Sequence, residues 1–454
     1  MIAAIKKIFS VQELKDKIVF TLLLLAVCRI GAYIPVPGID AREVVKAFQF
    51  ATGGGQNLFQ LMDMFTGGAF AHMTVVALGV MPYISASIIV QVLTVVVPSM
   101  QREMRENSTQ ANRKKAKWTR VITLGMALFQ SALFARHAVY MNLSSPGIIF
   151  ERIADVQMFG ISWLFFLLVM VSMTTGTLLL MWIGERITEK GIGNGMSMII
   201  TLGILSSLPT TIGSVIKQLN LDSQEPGQMT FSSLVVLAGA FVAIILGTIL
   251  VIQGVRKIPL QYARRTSGDE ERGDNAYIPL KINYAGVIPV IFASTFLMFP
   301  ATVAQFLGRS GFFGEVAAML SPGNWVYTLM YVLLIVFFTY FWTATQFHPE
   351  QIASDMKKNG AFIPGVRQGK PTEEYLEKSM GRLTLVGALF LALIAILPTL
   401  VSRLLSVDQT ISHFFGGTSL LILIGVVLDT TKQIESHLLM NRYDGFMMKK
   451  KVKL

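Results

Sequence analysis

The sequence is poor in cysteine, histidine and charge. A single cysteine, Cys28, excludes an internal disulfide bond and a cluster of thiolate metal ligands. The five histidines are scattered, without a spacing such as HExxH that would hold a metal, so we expect no metal and no cofactor. Only 15% of the 454 residues are charged, whereas 53% are hydrophobic. Because a soluble protein of this length needs more charge to cover its surface, the composition predicts a membrane protein.

Catalytic patterns are also scarce. Gly195-Met196-Ser197-Met198 is superficially similar to the serine loop of intramembrane proteases, but no histidine lies in mid-span to act as its base. Charges inside the predicted spans are few, and Arg29 and Asp429 are interpreted as snorkelling or structural pairs rather than as an ion-coupling site. We therefore expect that this protein is not an enzyme. A secondary transporter of small solutes and, less well supported, a protease with Ser197 as nucleophile remain as alternatives.

Ten apolar runs reach the length of about 20 residues that a transmembrane helix needs. If the N-terminus is cytoplasmic, 31 of the 39 Lys and Arg residues fall in cytoplasmic segments and 6 in outside loops. This bias is the positive-inside pattern, and an even number of spans returns the basic C-terminus to the same side. We predict an all-α polytopic protein with spans near residues 18–37, 73–98, 118–139, 159–183, 196–217, 230–255, 283–305, 325–347, 381–402 and 415–438.

The spans and loops suggest an organisation in two parts. Five spans in each half would make the second half enter the membrane in the opposite sense, which an inverted repeat requires. The predicted segments are 1–217 (N-terminal half with spans 1–5), 218–255 (span 6), 256–282 (cytoplasmic loop), 283–347 (spans 7 and 8), 348–380 (cytoplasmic loop), 381–438 (spans 9 and 10) and 439–454 (basic cytoplasmic tail).

The two cytoplasmic loops are too long to be simple connections. In the first, Ile-Pro-Leu repeats at 258–260 and 278–280 flank a polar tip at 266–275, which predicts a hairpin-like projection. In the second, Pro349 begins a short helix that Gly360 ends, and Thr372 begins another. Solvated connectors are one interpretation; we favour docking surfaces for a partner.

A short apolar segment from Leu58 to Phe65 lies between the first two spans and cannot cross a membrane. Gly53-Gly54-Gly55 precedes it and Gly67-Gly68 follows it. One interpretation is an interfacial helix on the outer leaflet. The other is a re-entrant segment, which is tolerable at membrane depth only when protein or a water-filled cavity surrounds it. Glycines on both sides would let such a segment move.

Several long motifs occur in order along nearly the whole chain. They are Arg29-Ile30-Gly31, Ile34-Pro35-Val36-Pro37-Gly38, Met64-Phe65-Thr66-Gly67-Gly68, Ala77 to Ile88, Gly191 to Gly195, Asn283 to Pro289, Gly360 to Gly365 and Phe415 to Leu421. In these motifs the sequence resembles the bacterial SecY family, the pore subunit of the general protein-secretion channel. The resemblance implies ten transmembrane helices in two pseudo-symmetric inverted five-helix halves around an hourglass pore, with a short re-entrant plug helix.

The resemblance also implies roles for individual residues. It implies a constriction ring, which would stop ions because a narrow ring of branched alkyl groups dewets. It implies a plug at 58–70, a lateral gate between the second and seventh spans in which Gln130 and Asn283 serve as a polar latch, and basic docking residues. The ring is Ile84, Ile88, Ile200, Ile291 and Ile422; the plug residues are Leu58, Phe59, Leu61, Met62, Met64 and Phe65; the gate residues are Ser87, Gln91, Gln130, Asn283 and Thr295; the docking residues are Arg256, Lys257 and Arg367.

The partners follow from the same resemblance. We expect SecE-type and SecG-type small membrane subunits, the SecA ATPase motor, the ribosome, signal sequences with unfolded polypeptide substrates, and anionic lipids, but no sequence-specific nucleic acid. The chain has no nucleotide-binding loop, so energy must come from a partner or the membrane potential. The expected location is the bacterial plasma (inner) membrane, with both termini cytoplasmic.

Overall fold

The computed structural model describes residues 11–52, 58–100, 108–144, 146–150, 163–218, 231–262, 277–307, 311–405 and 418–451. Within them the helices are α1 Gln12–Gly31, α2 Ala41–Thr52, α3 Leu58–Thr66, α4 Met81–Val96, α5 Ser108–Ser144, α6 Trp163–Lys190, α7 Gly195–Gln218, α8 Phe231–Gln253, α9 Ile288–Leu307, α10 Phe312–Met319, α11 Trp325–Gln346, α12 Pro349–Lys358, α13 Lys370–Leu405 and α14 Thr418–Lys451. The strands are β1 Val255–Pro259, β2 Gln261–Tyr262, β3 Tyr277–Lys281 and β4 Ala361–Phe362.

Each predicted span overlaps one helix, and α5, α13 and α14 extend well beyond their predicted spans. In the described part of the chain, seven are long and apolar enough to cross a membrane: α5, α6, α7, α8, α9, α11 and α13. This confirms an all-α polytopic membrane protein, while the count of ten crossings and the inverted repeat stay predictions. In the second span the helix begins later than predicted, because residues 73–80 form turns and α4 begins only at Met81, with Pro82 in its first turn.

Helices that follow one another in the chain pack side by side. One group runs from α4 through α5 to α6, and another from α9 through α11 to α13. The helix α9 also contacts α4 and α5, so it joins the two groups. A single hydrophobic cluster fills the space between the helices and includes the short helix α3. The apolar segment that cannot span is therefore part of the core.

The two predicted cytoplasmic loops form one unit. Strands β1 and β3 pair in an antiparallel hairpin stem, as predicted from the two Ile-Pro-Leu repeats; the tip at 266–275 lies outside the described residues. The first loop continues into β2, which pairs with β4 of the second loop through Gln261 opposite Phe362 and Tyr262 opposite Ala361. A second hydrophobic cluster, with Ile258 and Leu280 from one loop and Met356 and Leu376 from the other, lies beneath this pairing.

Candidate functional site: the buried helix and the surrounding pore residues

The short helix α3 ends in a Schellman motif built on its two glycines. The Gly68 N–H donates to the Asp63 carbonyl at 2.9 Å and the Gly67 N–H donates to the Met64 carbonyl at 3.3 Å. Gly67 has φ +67°, in the left-handed region where a side chain is disfavoured. The predicted glycine hinge is therefore an ordered helix terminus, which directs the Gly67 carbonyl away from the helix.

Aromatic and sulfur contacts hold α3 among helices from both groups. The Phe59 ring packs on Phe70, on His137 of α5 and on Phe306 of α9, with centroid separations between 5.1 and 5.7 Å. The Thr302 hydroxyl of α9 lies 3.5 Å from the Met62 sulfur, and the Ser419 hydroxyl of α14 lies 3.5 Å from the Met64 sulfur. Of the predicted plug residues, Phe59, Leu61, Met62, Met64 and Phe65 are buried; the Leu58 side chain lies outside the described part.

A polar and glycine-lined notch receives the end of α3. Arg29 of α1 donates from Nη1 to the Gly67 carbonyl at 2.6 Å, and Ser206 of α7 donates to the same oxygen at 3.3 Å. Arg29 also donates to the Tyr33 hydroxyl at 2.9 Å and lies over the Tyr33 ring. Gly203 of α7 lies directly against the Phe65 carbonyl, so closely that a Cβ on Gly203 would overlap it.

Asp63, the acidic residue of α3, is hydrogen-bonded to the segment that follows the helix. Asp63 accepts a hydrogen bond from the Ala71 N–H at 2.7 Å. Burial raises the pKa of the Asp63 carboxyl, while this hydrogen bond and the nearby His72 and Arg29 act in the opposite direction. Farther along the chain, the Val75 N–H donates to the Ile34 carbonyl at 2.9 Å. This bond attaches the segment that follows α3 to the residues just after α1.

The predicted ring residues are all buried and come from four helices. They lie on α4 (Ile84 and Ile88), α7 (Ile200), α9 (Ile291) and α14 (Ile422), and each is at most 7% exposed. All five belong to the hydrophobic cluster that contains α3. Because α9 contacts α4 and α14, and α7 contacts α14, these aliphatic side chains lie on adjoining helices.

Two of the predicted gate residues face one cavity. A cavity of about 20 Å³ lies between α3, α4, α5 and α9, and its lining includes Gln130, Thr295, Ser85 and Met62. This volume is enough for a single water molecule. The arrangement brings Gln130 and Thr295 together at the contact between the two groups of helices.

The other predicted gate residues bond elsewhere. Gln91 donates to Ser87 along α4 at 3.3 Å, and Asn283 donates to the Gly286 carbonyl at 2.7 Å, just before α9. Within the described residues, Gln91 Oε1 and Asn283 Oδ1 have no hydrogen-bond partner. The structure thus does not join Asn283 to Gln130 in a hydrogen bond, and the polar latch stays a prediction.

The predicted docking residues are exposed on the two joined loops. Arg256 and Lys257 lie on β1, where the Lys257 ammonium sits 4.7 Å from the centroid of the Tyr277 ring on β3. Arg367 is exposed in the turn before α13. The pairing of β2 with β4 therefore places these cations on one connected structure rather than on two separate loops.

Solved structures define the class of fold. Two matches each cover 92% of this chain and 91% of the other: one described as "The structure of a protein conducting channel", with 19% identity and a TM-score of 0.62, and Sec61 from a canine ribosome-channel complex, with 17% identity and a TM-score of 0.59. The chain is thus a multi-pass helical membrane protein with a protein-conducting-channel fold.

The family follows from sequence comparison. The SecY family model matches residues 74–431. "Protein translocase subunit SecY" from Chlamydia trachomatis is 57% identical over 453 residues, covering 99% of each chain, and the protein of that name from Vibrio cholerae is 38% identical over 98% of this chain and 96% of its own. The chain belongs to the SecY family. This family consists of channels rather than enzymes, and a small-solute transporter finds no support here.

Proposed function

We propose that this chain is the pore subunit of a channel that passes unfolded secretory polypeptides across the bacterial plasma membrane and releases hydrophobic segments sideways into it. The observation that carries the proposal is the buried helix α3, which is held by residues of five other helices and shares one hydrophobic cluster with the five buried isoleucines. In this proposal, α3 is the plug of the closed pore and the isoleucines form its constriction ring.

The apolar ring suits a pore for polypeptides. A narrow ring of branched alkyl groups stops ions by dewetting, without a charged gate. It also offers a moving chain no hydrogen bonds to hold it. The contact of α9 with α4 and α5, with the Gln130 and Thr295 cavity beside it, supports a lateral gate there. Signal sequences would enter at this gate because its lipid side accepts their apolar core.

The joined loops support docking of an energy-supplying partner. Arg256, Lys257 and Arg367 are exposed cations on a connected projection, and cationic surfaces attract ribosomal RNA and acidic protein surfaces. The matching Sec61 structure comes from a ribosome-channel complex. We infer that the SecA-type motor and the ribosome bind here, that SecE-type and SecG-type subunits and anionic lipids complete the assembly, and that both termini are cytoplasmic, in keeping with the distribution of Lys and Arg.

Crosslinking of a stalled secretory chain tests the proposal. The buried Cys28 is first replaced by serine, and a single cysteine is then introduced by Ile291→Cys in the complete membrane complex. We expect an adduct with the stalled chain because Ile291 belongs to the proposed ring. The matched control is Leu246→Cys on α8, a position 56% exposed on the outer surface of the helices, which should give none. Equal adducts at both positions, or none at Ile291 while the chain engages the channel, would contradict the proposal.

A further inference from the structure

The end of the plug helix is held by two hydrogen-bond donors from different helices. The Schellman motif uses the N–H groups of Gly67 and Gly68 but leaves the Gly67 carbonyl free to accept. Arg29 and Ser206 both donate to it, from α1 and α7 respectively. The Ser206 hydroxyl has a single proton and also donates to the Gly203 carbonyl of its own helix at 2.9 Å, so its contact with Gly67 is the longer arm of a shared, three-centre hydrogen bond.

The charge on Arg29 makes this contact selective for one position of the plug. A guanidinium at the C-terminal end of a helix is favoured by the helix dipole, and its hydrogen bond is stronger than one between neutral groups. Tyr33, one turn later, fixes the guanidinium from the other side through the hydroxyl and the ring face. If α3 left, Arg29 would keep Tyr33 but lose its carbonyl acceptor while remaining on the first predicted span, where an uncompensated charge is costly.

We propose that Arg29 and Ser206 are positioning residues that form the seat of the plug: a two-donor clamp on the Gly67 carbonyl that holds the channel closed and draws the plug back after a polypeptide has passed. A cavity of about 40 Å³ lies at this clamp and is lined by Arg29, Phe65, Thr66 and Gly203. The inference rests on the plug role given to α3 in the proposed function.

The test measures plug position and ion leak separately, in the complete membrane complex without substrate. With Cys28 replaced by serine, a reporter cysteine is introduced by Leu61→Cys on the buried side of α3, and its labelling rate with a membrane-impermeant maleimide reports plug departure. Arg29→Met should raise this rate by about tenfold or more, because one charge-assisted hydrogen bond is lost from the closed state only. Arg29→Lys should restore it in part, and Ser206→Ala should give a smaller increase.

Arg136→Met is the matched control, because Arg136 also stacks on a tyrosine four residues later, Tyr140, but belongs to α5. It should leave labelling unchanged. Faster labelling together with increased leak supports both the seat and the plug. Faster labelling without leak supports the seat but refutes the sealing role of α3. If Arg29→Met and Ser206→Ala both label like the parent protein, or if Arg136→Met has the same effect as Arg29→Met, the seat is refuted. If the Arg29→Met protein does not assemble, the labelling rates of Ser206→Ala and Arg29→Lys alone test whether the seat exists.

Discussion

Replacing Gly203 by alanine should displace the proposed plug α3 and so increase ion leak. The replacement should not weaken α7, the helix on which Gly203 lies. Gly203 lies on α7 where the backbone of α3, the proposed plug, passes. A Cβ at this position would overlap the Phe65 carbonyl oxygen, lie 3.0 Å from the Phe65 carbonyl carbon and lie 3.3 Å from the Gly67 nitrogen. These are backbone atoms that no side-chain rotation can move, so the plug itself must shift.

The size of the effect follows from comparing the state in which the proposed plug is seated with the state in which it is displaced. Overpacking of this kind costs about 1–3 kcal/mol, and it acts only while the plug occupies its seat. The gain in helix propensity from glycine to alanine, about 0.8–1.0 kcal/mol, is present with the plug in or out and cancels from the equilibrium. Since about 1.4 kcal/mol is a factor of ten, the population with a displaced plug should rise roughly 5- to 150-fold.

Ion efflux from sealed vesicles that contain the complex, without a secretory chain, measures this population. Gly213→Ala is the control, because Gly213 lies on the same helix and a Cβ added there would meet no described atom within 4 Å. The Gly213→Ala variant gains the same helix propensity, but its added methyl group does not contact the proposed plug. If Gly203→Ala and Gly213→Ala both leak no more than the parent protein, the plug does not rest on Gly203 and the reasoning is wrong.

Three further predictions concern the ring, the plug and the loops. Ile88→Asn should increase ion leak and relax signal-sequence selection, because an amide in the apolar ring favours hydration; single-channel recording measures the leak. Phe59→Ala should destabilise the protein by about 3–5 kcal/mol, because it removes a ring packed on three others, and a thermal unfolding curve reports the loss. Arg367→Glu should slow association with the ribosome or motor more than it speeds dissociation, with a difference that shrinks above about 0.15 M salt; surface plasmon resonance separates the two rates.

Each of these variants has a control in the chain. Ile89 follows Ile88 but is 40% exposed, so Ile89→Asn should leave the leak unchanged; an equal leak would mean that burial at the ring is irrelevant. Phe312→Ala removes a ring that is 74% exposed, and matching melting temperatures would refute the packing assigned to Phe59. Lys190→Glu makes the same charge change outside both loops, and an identical slowing would indicate a net-charge effect rather than a docking residue.

The helices could be predicted because hydropathy and length act locally. The stem of the first loop was also predictable, since the Ile-Pro-Leu repeats at 258–260 and 278–280 lie on either side of a turn-rich stretch, and the strands that carry them pair with Ile258 opposite Ile278. The second span was placed too early, because residues 73–80 are apolar enough to be counted as helix yet form turns. There the Val75 carbonyl packs so closely against Gly176 of α6 that a Cβ would not fit, and sequence periodicity does not show such a contact.

Contacts between distant parts of the chain could not be predicted. Arg29 was interpreted as a snorkelling or structurally paired charge, whereas its acceptor is a backbone carbonyl 38 residues later, and a carbonyl has no sequence signature. The sequence does not mark Gly203 or Ser206 for a role, because their contacts depend on where α3 lies. The resemblance to a known family supplied the ring, plug and gate residues, but it did not indicate which side chains hold the plug.

The pairing of β2 with β4 has a consequence for exchanging parts between relatives. Two residues of β2 pair with two residues of β4, and both loops contribute side chains to one hydrophobic cluster. Each loop therefore depends on the other for its packing. A chimera that transplants only one loop would bring together surfaces shaped for different neighbours. Grafts of this region should therefore succeed when 255–281 and 347–380 are moved as a pair, and substitutions at the shared surface should accumulate in both loops together during divergence.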